Sequence, residues 1–315
     1  MGLDRAWPAV LLIVLAIVAS VAIGVGAERR DRARAQALAR RALDVLLYVL
    51  LPIVVLTNVG RLDVTAGVAA GIGLAYVTVI LVSLTAWLIT RRMRLPGPQA
   101  GATIVTAMLA NTGYLGIPLA GVLLGPSAVP AAVAFDLVVS LPMLYLGGFG
   151  VAAALGADAG ESPAARLRAF LTRNLALPAA VTGLLLPTGF FTDGVVDASH
   201  VLVLLIAPLG FFALGVTLTG ESQDGELDLP PAVTPPVAVA VLLRNAVAPL
   251  LFLALSTLVA DVPDAFFVAA AMPCGLNALT AAHGYGLDAQ IVSAAIAWST
   301  VLALIGAAIA GAILT

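Results

Sequence analysis

Two clusters of residues could do chemistry. Asn111, Thr112, Gly113, Gly116 and Pro118 crowd one apolar stretch, MLANTGYLGIPLAGVLLG, and Pro273, Gly275 and Asn277 crowd another, AAAMPCGLNALTAAHGYG. Proline inside a helix removes a backbone hydrogen bond and clashes with the preceding turn; glycine loosens the same region. A helix broken in this way offers unpaired N–H groups and positive partial charge at one end, and carbonyls at the other. Asn111 and Asn277 add amide donors without a full charge. Such a site suits a carboxylate that must be held and then let go. The predicted substrate-binding set is therefore Asn111, Thr112, Gly113, Pro118, Pro273, Gly275 and Asn277. Gly and Pro also serve membrane helices as plain kinks or close-packing points. Matching interruptions in two halves of a chain, each with an Asn and superimposed by one internal shift, favour a site.

Two charged residues join this set as candidates for coupling or gating. Asp136 lies several residues inside an apolar stretch, where a carboxylate costs roughly 2.5–3.5 kcal/mol on insertion scales; a water-reached interfacial Asp is the alternative. Arg244 lies well inside another stretch and can contact substrate, pair with a carboxylate or snorkel. His283 reads as a solvated residue at a helix end, Asp44 as interfacial, and Trp7, Trp87 and Trp298 as interface or packing residues.

The elements that position these residues follow from composition. The chain is 62% hydrophobic and 10% charged, with a mean hydropathy of +1.11. A soluble domain carries roughly a quarter charged residues, so this chain must be solvated by a bilayer. At roughly 20 apolar residues per crossing, its 315 residues allow about ten helices and no further soluble domain. The apolar runs cover 7–26, 42–60, 66–90, 101–124, 129–154, 174–191, 200–219, 234–259, 265–283 and 289–314. They lack strand alternation, and lipid demands that backbone groups be satisfied within a segment, so helices are expected. The first run is long and precedes RRDRARAQALARR, a pattern that stops translocation rather than inviting cleavage.

All basic residues are Arg. Arg29, Arg30, Arg32, Arg34, Arg40, Arg41, Arg91, Arg92, Arg94, Arg166, Arg168 and Arg173 fall in loops on one side, against Arg5 and Arg61 on the other. Positive charge marks the cytoplasmic face, so both termini are expected outside a multi-pass cell-membrane protein. The segment after helix 7, GESQDGELDLPPAVTPP, is acidic yet also inside; acids weigh little in that rule. The expected fold is all-α integral membrane. It has ten transmembrane helices as two inverted five-helix repeats, 1–155 and 174–315, joined by a short cytosolic linker, 156–173. Broken helices 4 and 9 cross at mid-membrane.

An enzyme is disfavoured. No His-Glu-x-x-His, no Gly-x-Ser-x-Gly and no catalytic Asp pair is present, and one Cys with two His cannot form a typical haem or zinc set. No cofactor, metal or nucleic-acid partner is expected at a net charge of −2. The partners expected are a small carboxylate substrate and the lipid bilayer, with a homodimer left open. A channel or structural membrane protein is the alternative of another class.

At these residues the chain resembles the auxin efflux carrier family, which includes plant auxin exporters and prokaryotic permeases. NTGYLGIPL resembles that family's fourth-helix motif, AMPCGLNAL its ninth-helix Pro-x-Gly stretch, RNAVAP its eighth-helix Arg and Pro, and ARRALDVLLYVLLPIVVL its second helix. The resemblance implies ten helices in a scaffold and a transport subdomain, breaks that cross, elevator-type movement and weak organic acid substrates. Export of a small organic acid anion is the resulting expectation. A sodium- or proton-coupled organic anion symporter of similar fold is the alternative. The short central loop is that of prokaryotic members, and Asn277 departs from the plant pattern, which argues against auxin itself.

Overall fold

The computed structural model describes residues 6–158, 162–187, 189–224 and 230–313. Arg5 and part of the 156–173 segment lie outside the described residues, as do the side chains of Trp7, Arg166 and Arg173. The described chain is helical: α1 Ala6–Arg30, α2 Arg32–Val59, α3 Ala66–Arg92, α4 Gly97–Met108, α5 Thr112–Leu123, α6 Pro126–Leu155 and α7 Pro163–Arg173, then α8 Ala176–Leu185, α9 Asp193–Gln223, α10 Pro235–Val259, α11 Asp264–Ala270, α12 Asn277–Tyr285 and α13 Ala289–Ile313. Among the described residues, seven helices are long and apolar enough to cross a membrane. The remaining apolar runs are the two broken stretches, α4–α5 and α11–α12, and the short α8.

Three boundaries differ from expectation. The Arg-rich segment expected as a loop is the start of α2. Its Ala, Arg and Leu residues favour helix, Asp31 caps it by accepting from the Arg34 N–H at 3.1 Å, and Ala35 and Ala39 bury its inner face. The run expected over 174–191 yields only α8, because Pro187 restrains the residue before it and Gly189, at a positive φ of 84°, does not continue a helix. The linker contains α7, capped by Ser162 accepting from the Ala165 N–H at 3.2 Å.

Prolines also explain a recurring local feature. Among the described residues, π-helical turns occupy Leu46–Leu50, Thr112–Gly116, Asp136–Ser140, Met143–Gly148 and Leu243–Val247. All but Met143–Gly148 are followed two residues later by a proline: Pro52, Pro118, Pro142 and Pro249. A proline ring cannot tolerate the carbonyl four residues back, and widening the helix by one residue relieves the clash.

Packing divides the helices into two groups. In one, α1 lies along α9, and the second half of α2 packs on α8 and α9. The α1–α9 approach is set by Gly24 and Gly215: a Cβ on either would lie 2.4 Å from a carbonyl oxygen of the other helix. In the other group, α4 sits at the centre, against α3, α6, α10 and α13. On one side of the molecule, Arg32 donates to Asp224 Oδ1 at 2.7 Å, joining the start of α2 to the end of α9 and holding the Asp224 carboxyl below the usual carboxylate range. On the opposite side, Arg61 reaches Asp193 at 2.9 Å. The Arg-rich and acidic segments thus share one face.

Candidate functional site

The two breaks meet. The chain unwinds at Leu109–Asn111 after α4 and at Ala271–Leu276 before α12, and Ala110 faces Cys274 in an isolated antiparallel bridge. The Asn111 N–H donates to the Pro273 carbonyl at 2.8 Å, and the Gly275 N–H donates to the Leu109 carbonyl at 2.8 Å. Ser299 of α13 accepts from the Cys274 N–H at 3.0 Å. Unwound backbone is tolerated at membrane depth only when such partners are supplied from within the protein. The bridge also explains Gly275: a Cβ there would lie 3.1 Å from the Ala110 carbonyl oxygen.

The bridge brings Asn111, Thr112, Gly113, Gly275 and Asn277 to the wall of one cavity of about 50 Å³. Pro118 and Pro273 do not line it. Pro118 sits in the turn that follows the α5 π turn, and Pro273 supplies the carbonyl of the bridge. The N-terminus of α5 faces this crossing with first-turn N–H groups that have no intrahelical partner; at α12 the Ala278 and Leu279 N–H groups already donate to the Gly275 and Leu276 carbonyls, at 3.0 and 3.1 Å. Asn111 is 3% exposed and its Nδ2 has no hydrogen-bond partner. A buried donor left open in this way costs about 1–3 kcal/mol, which is sensible in a site that a ligand completes.

Asp136 belongs to the same cavity. It begins the π turn of α6, accepts a hydrogen bond from Thr112 Oγ1 at 2.5 Å, and lies 3.3 Å from where a Gly113 Cβ would stand. Tyr114, inside the fourth-helix motif but not singled out from sequence, donates to Asn277 Oδ1 at a long 3.5 Å. Ser140, one turn beyond Asp136, also lines the cavity; its signal was that spacing. No Lys, Arg or His is among the lining residues.

Arg244 stands apart. It lines a neighbouring cavity and donates to the Ala270 carbonyl at the end of α11, at 2.5 Å. His283, half-exposed, lies 3.3 Å from Glu221 of α9, which accepts from Ser293 of α13 at 2.5 Å. Glu28, also unanticipated, is buried beside Gln36 and Arg32. Trp298 donates to the Pro231 carbonyl at 3.0 Å, and Arg91 stacks 4.8 Å from the Trp87 ring centroid. A further cavity, of about 860 Å³, is an apolar groove along α5, α10, α11 and α13, and it has no charged lining residue to hold an anion.

Residues 174–310 match a family model described as membrane transport protein. The match includes the Pro273–Asn277 break, whereas the Asn111–Leu119 motif lies outside it. A search of curated proteins found no match.

Proposed function

We propose that the chain, whose residues 174–310 match the membrane transport protein family, is a secondary transporter of the auxin efflux carrier type that exports a small organic acid anion. The observation that carries this reading is the antiparallel pairing of the two breaks, which sets Asn111 and Asn277 on one cavity. Neutral amides and the N-terminus of α5 bind an anion by oriented partial charges. They hold it less tightly than a paired Arg would, which suits a carrier that must release its load. An inside-negative potential favours anion exit by roughly 2.3 kcal/mol per charge per 100 mV.

In this reading the seven long helices, the two broken stretches and α8 make ten crossings. They form two inverted repeats, 1–155 and 174–315, about the cytosolic segment 156–173, with both termini outside. The Arg32–Asp224 contact supports a common cytosolic face for the first Arg-rich segment and the acidic segment after α9. The two packing groups suit elevator movement, with α1, α2, α8 and α9 as scaffold and the group carrying both breaks as the moving body.

Asp136 favours a second reading, coupling to a proton or sodium ion. Two charges 4 Å apart at an effective dielectric of 20 interact by about 4 kcal/mol. An ionised Asp136 would therefore oppose an anion in its cavity unless a cation accompanied it. The test is transport into proteoliposomes, screened first by thermal shift against small mono- and dicarboxylates. Saturable flux with counter-transport supports a carrier; non-saturating flux without counter-transport would assign a channel, and no flux of any carboxylate would remove the anion reading.

A further inference from the structure

We propose that Arg244 and Thr78 form a second, buried anion site behind the crossing, sized for a halide ion or the head of a carboxylate. Arg244 is 3% exposed and its Nε has no hydrogen-bond partner. Among the described residues, its guanidinium donates to the Ala270 carbonyl alone. That bond engages one of five guanidinium donors. The C-terminal end of α11 offers only partial negative charge, so a full positive charge remains uncompensated. Among the described residues, no carboxylate lines this cavity.

Thr78 supplies an independent observation. Helical hydroxyls in this chain turn back onto their own helix: on α3, Ser83, Thr85 and Thr90 all donate to carbonyls three or four residues earlier. Thr78, on the same helix and 4% exposed, does not, and its Oγ1 has no partner. It lines the cavity with Arg244. Two buried donors from different helices therefore remain open on one space of about 20 Å³, where roughly 10–15 Å³ accommodates one water-sized species. Water would fit but would leave the charge unpaired. An anion satisfies both donors and the charge, against the apolar walls formed by Phe135, Val139 and Phe252.

The site is separate from the Asn111–Asn277 cavity but touches it: Leu109, Ala110 and Ser140 line both. The proposal does not depend on transport. Its ligand is either a free halide or a carboxylate group, and one experiment separates them. Purified protein is unfolded thermally in chloride, bromide or acetate, each titrated against gluconate, which is too bulky for the cavity, at constant ionic strength. A saturable rise in midpoint is expected, with half-saturation at least tenfold higher in Thr78→Val and no rise in Arg244→Gln. Should Arg244→Gln not fold, Thr78→Val carries the test. Halide stabilisation assigns a free ion; stabilisation by acetate alone, kept in Asn111→Ala, assigns a carboxylate head group. Equal midpoints in all four anions, or a parent-like response in Thr78→Val, would overturn the proposal. Loss of substrate binding in Asn111→Ala with this response intact would concern the transport site alone.

Discussion

Asn111→Ala removes an amide whose Nδ2 touches no acceptor in the protein. Its cost should therefore fall on ligand binding and not on folding. The neighbouring bridge uses the backbone N–H of Asn111, which alanine retains. One hydrogen bond to a charged group is worth about 1.5–3 kcal/mol, or about 10- to 150-fold in affinity. Stability should stay level or rise, because removing an unsatisfied buried donor recovers part of roughly 1–3 kcal/mol. Asn277→Ala should lose a similar binding increment. It also forfeits the 3.5 Å contact with Tyr114, which lies beyond ordinary hydrogen-bond length and adds little. If both amides hold the same carboxylate, the double variant should be non-additive by about 0.5–3 kcal/mol. The assay is calorimetric titration of purified, monodisperse proteins with the carboxylate identified by screening. Parent-like affinity in both single variants would make these residues packing groups and place the site elsewhere.

Asp136→Asn should leave the driving force of a uniporter unchanged; a proton or sodium dependence present in the parent and absent in the variant establishes coupling. Gly215→Ala should destabilise by about 1–3 kcal/mol, since its Cβ would lie 2.4 Å from the Val21 carbonyl oxygen. Gly73→Ala, with nothing within 4 Å, should raise the thermal midpoint; equal responses in the two would refute the close-approach account of α1 and α9. Ser162→Cys in a Cys274→Ala background should resist an impermeant thiol reagent added outside cells, and labelling there would invert the proposed topology.

The breaks were legible because Pro and Gly act locally: their effect on the backbone does not depend on what surrounds them. The cavity wall was only partly legible. Asn111 and Asn277 could be matched by an internal shift, but Tyr114 enters through a contact across 163 residues. The Glu221–Ser293 bond, 72 residues apart, likewise leaves no spacing to read. The Arg-rich segment was misassigned because charge was weighed above helix propensity. Arginine there lies on an exposed helical face while Ala35 and Ala39 turn inward. Arg244 was visible as a charge in an apolar run, but its separation from the Asn cavity depends on how α10 packs against α4 and α13.

The bridge between the breaks also constrains how the protein is made. Leu109 and Asn111 cannot complete their backbone hydrogen bonds until Pro273 and Gly275 have been synthesised. At about 5–20 residues per second, the 163 residues between Tyr114 and Asn277 take roughly 8–30 s. During that interval the α4–α5 break carries open backbone groups, each costing several kcal/mol in hydrocarbon. The first half of the chain therefore leaves the ribosome with an unfinished seam. It must wait against water, the insertion machinery or a neighbouring helix, and the last quarter of the polypeptide closes it.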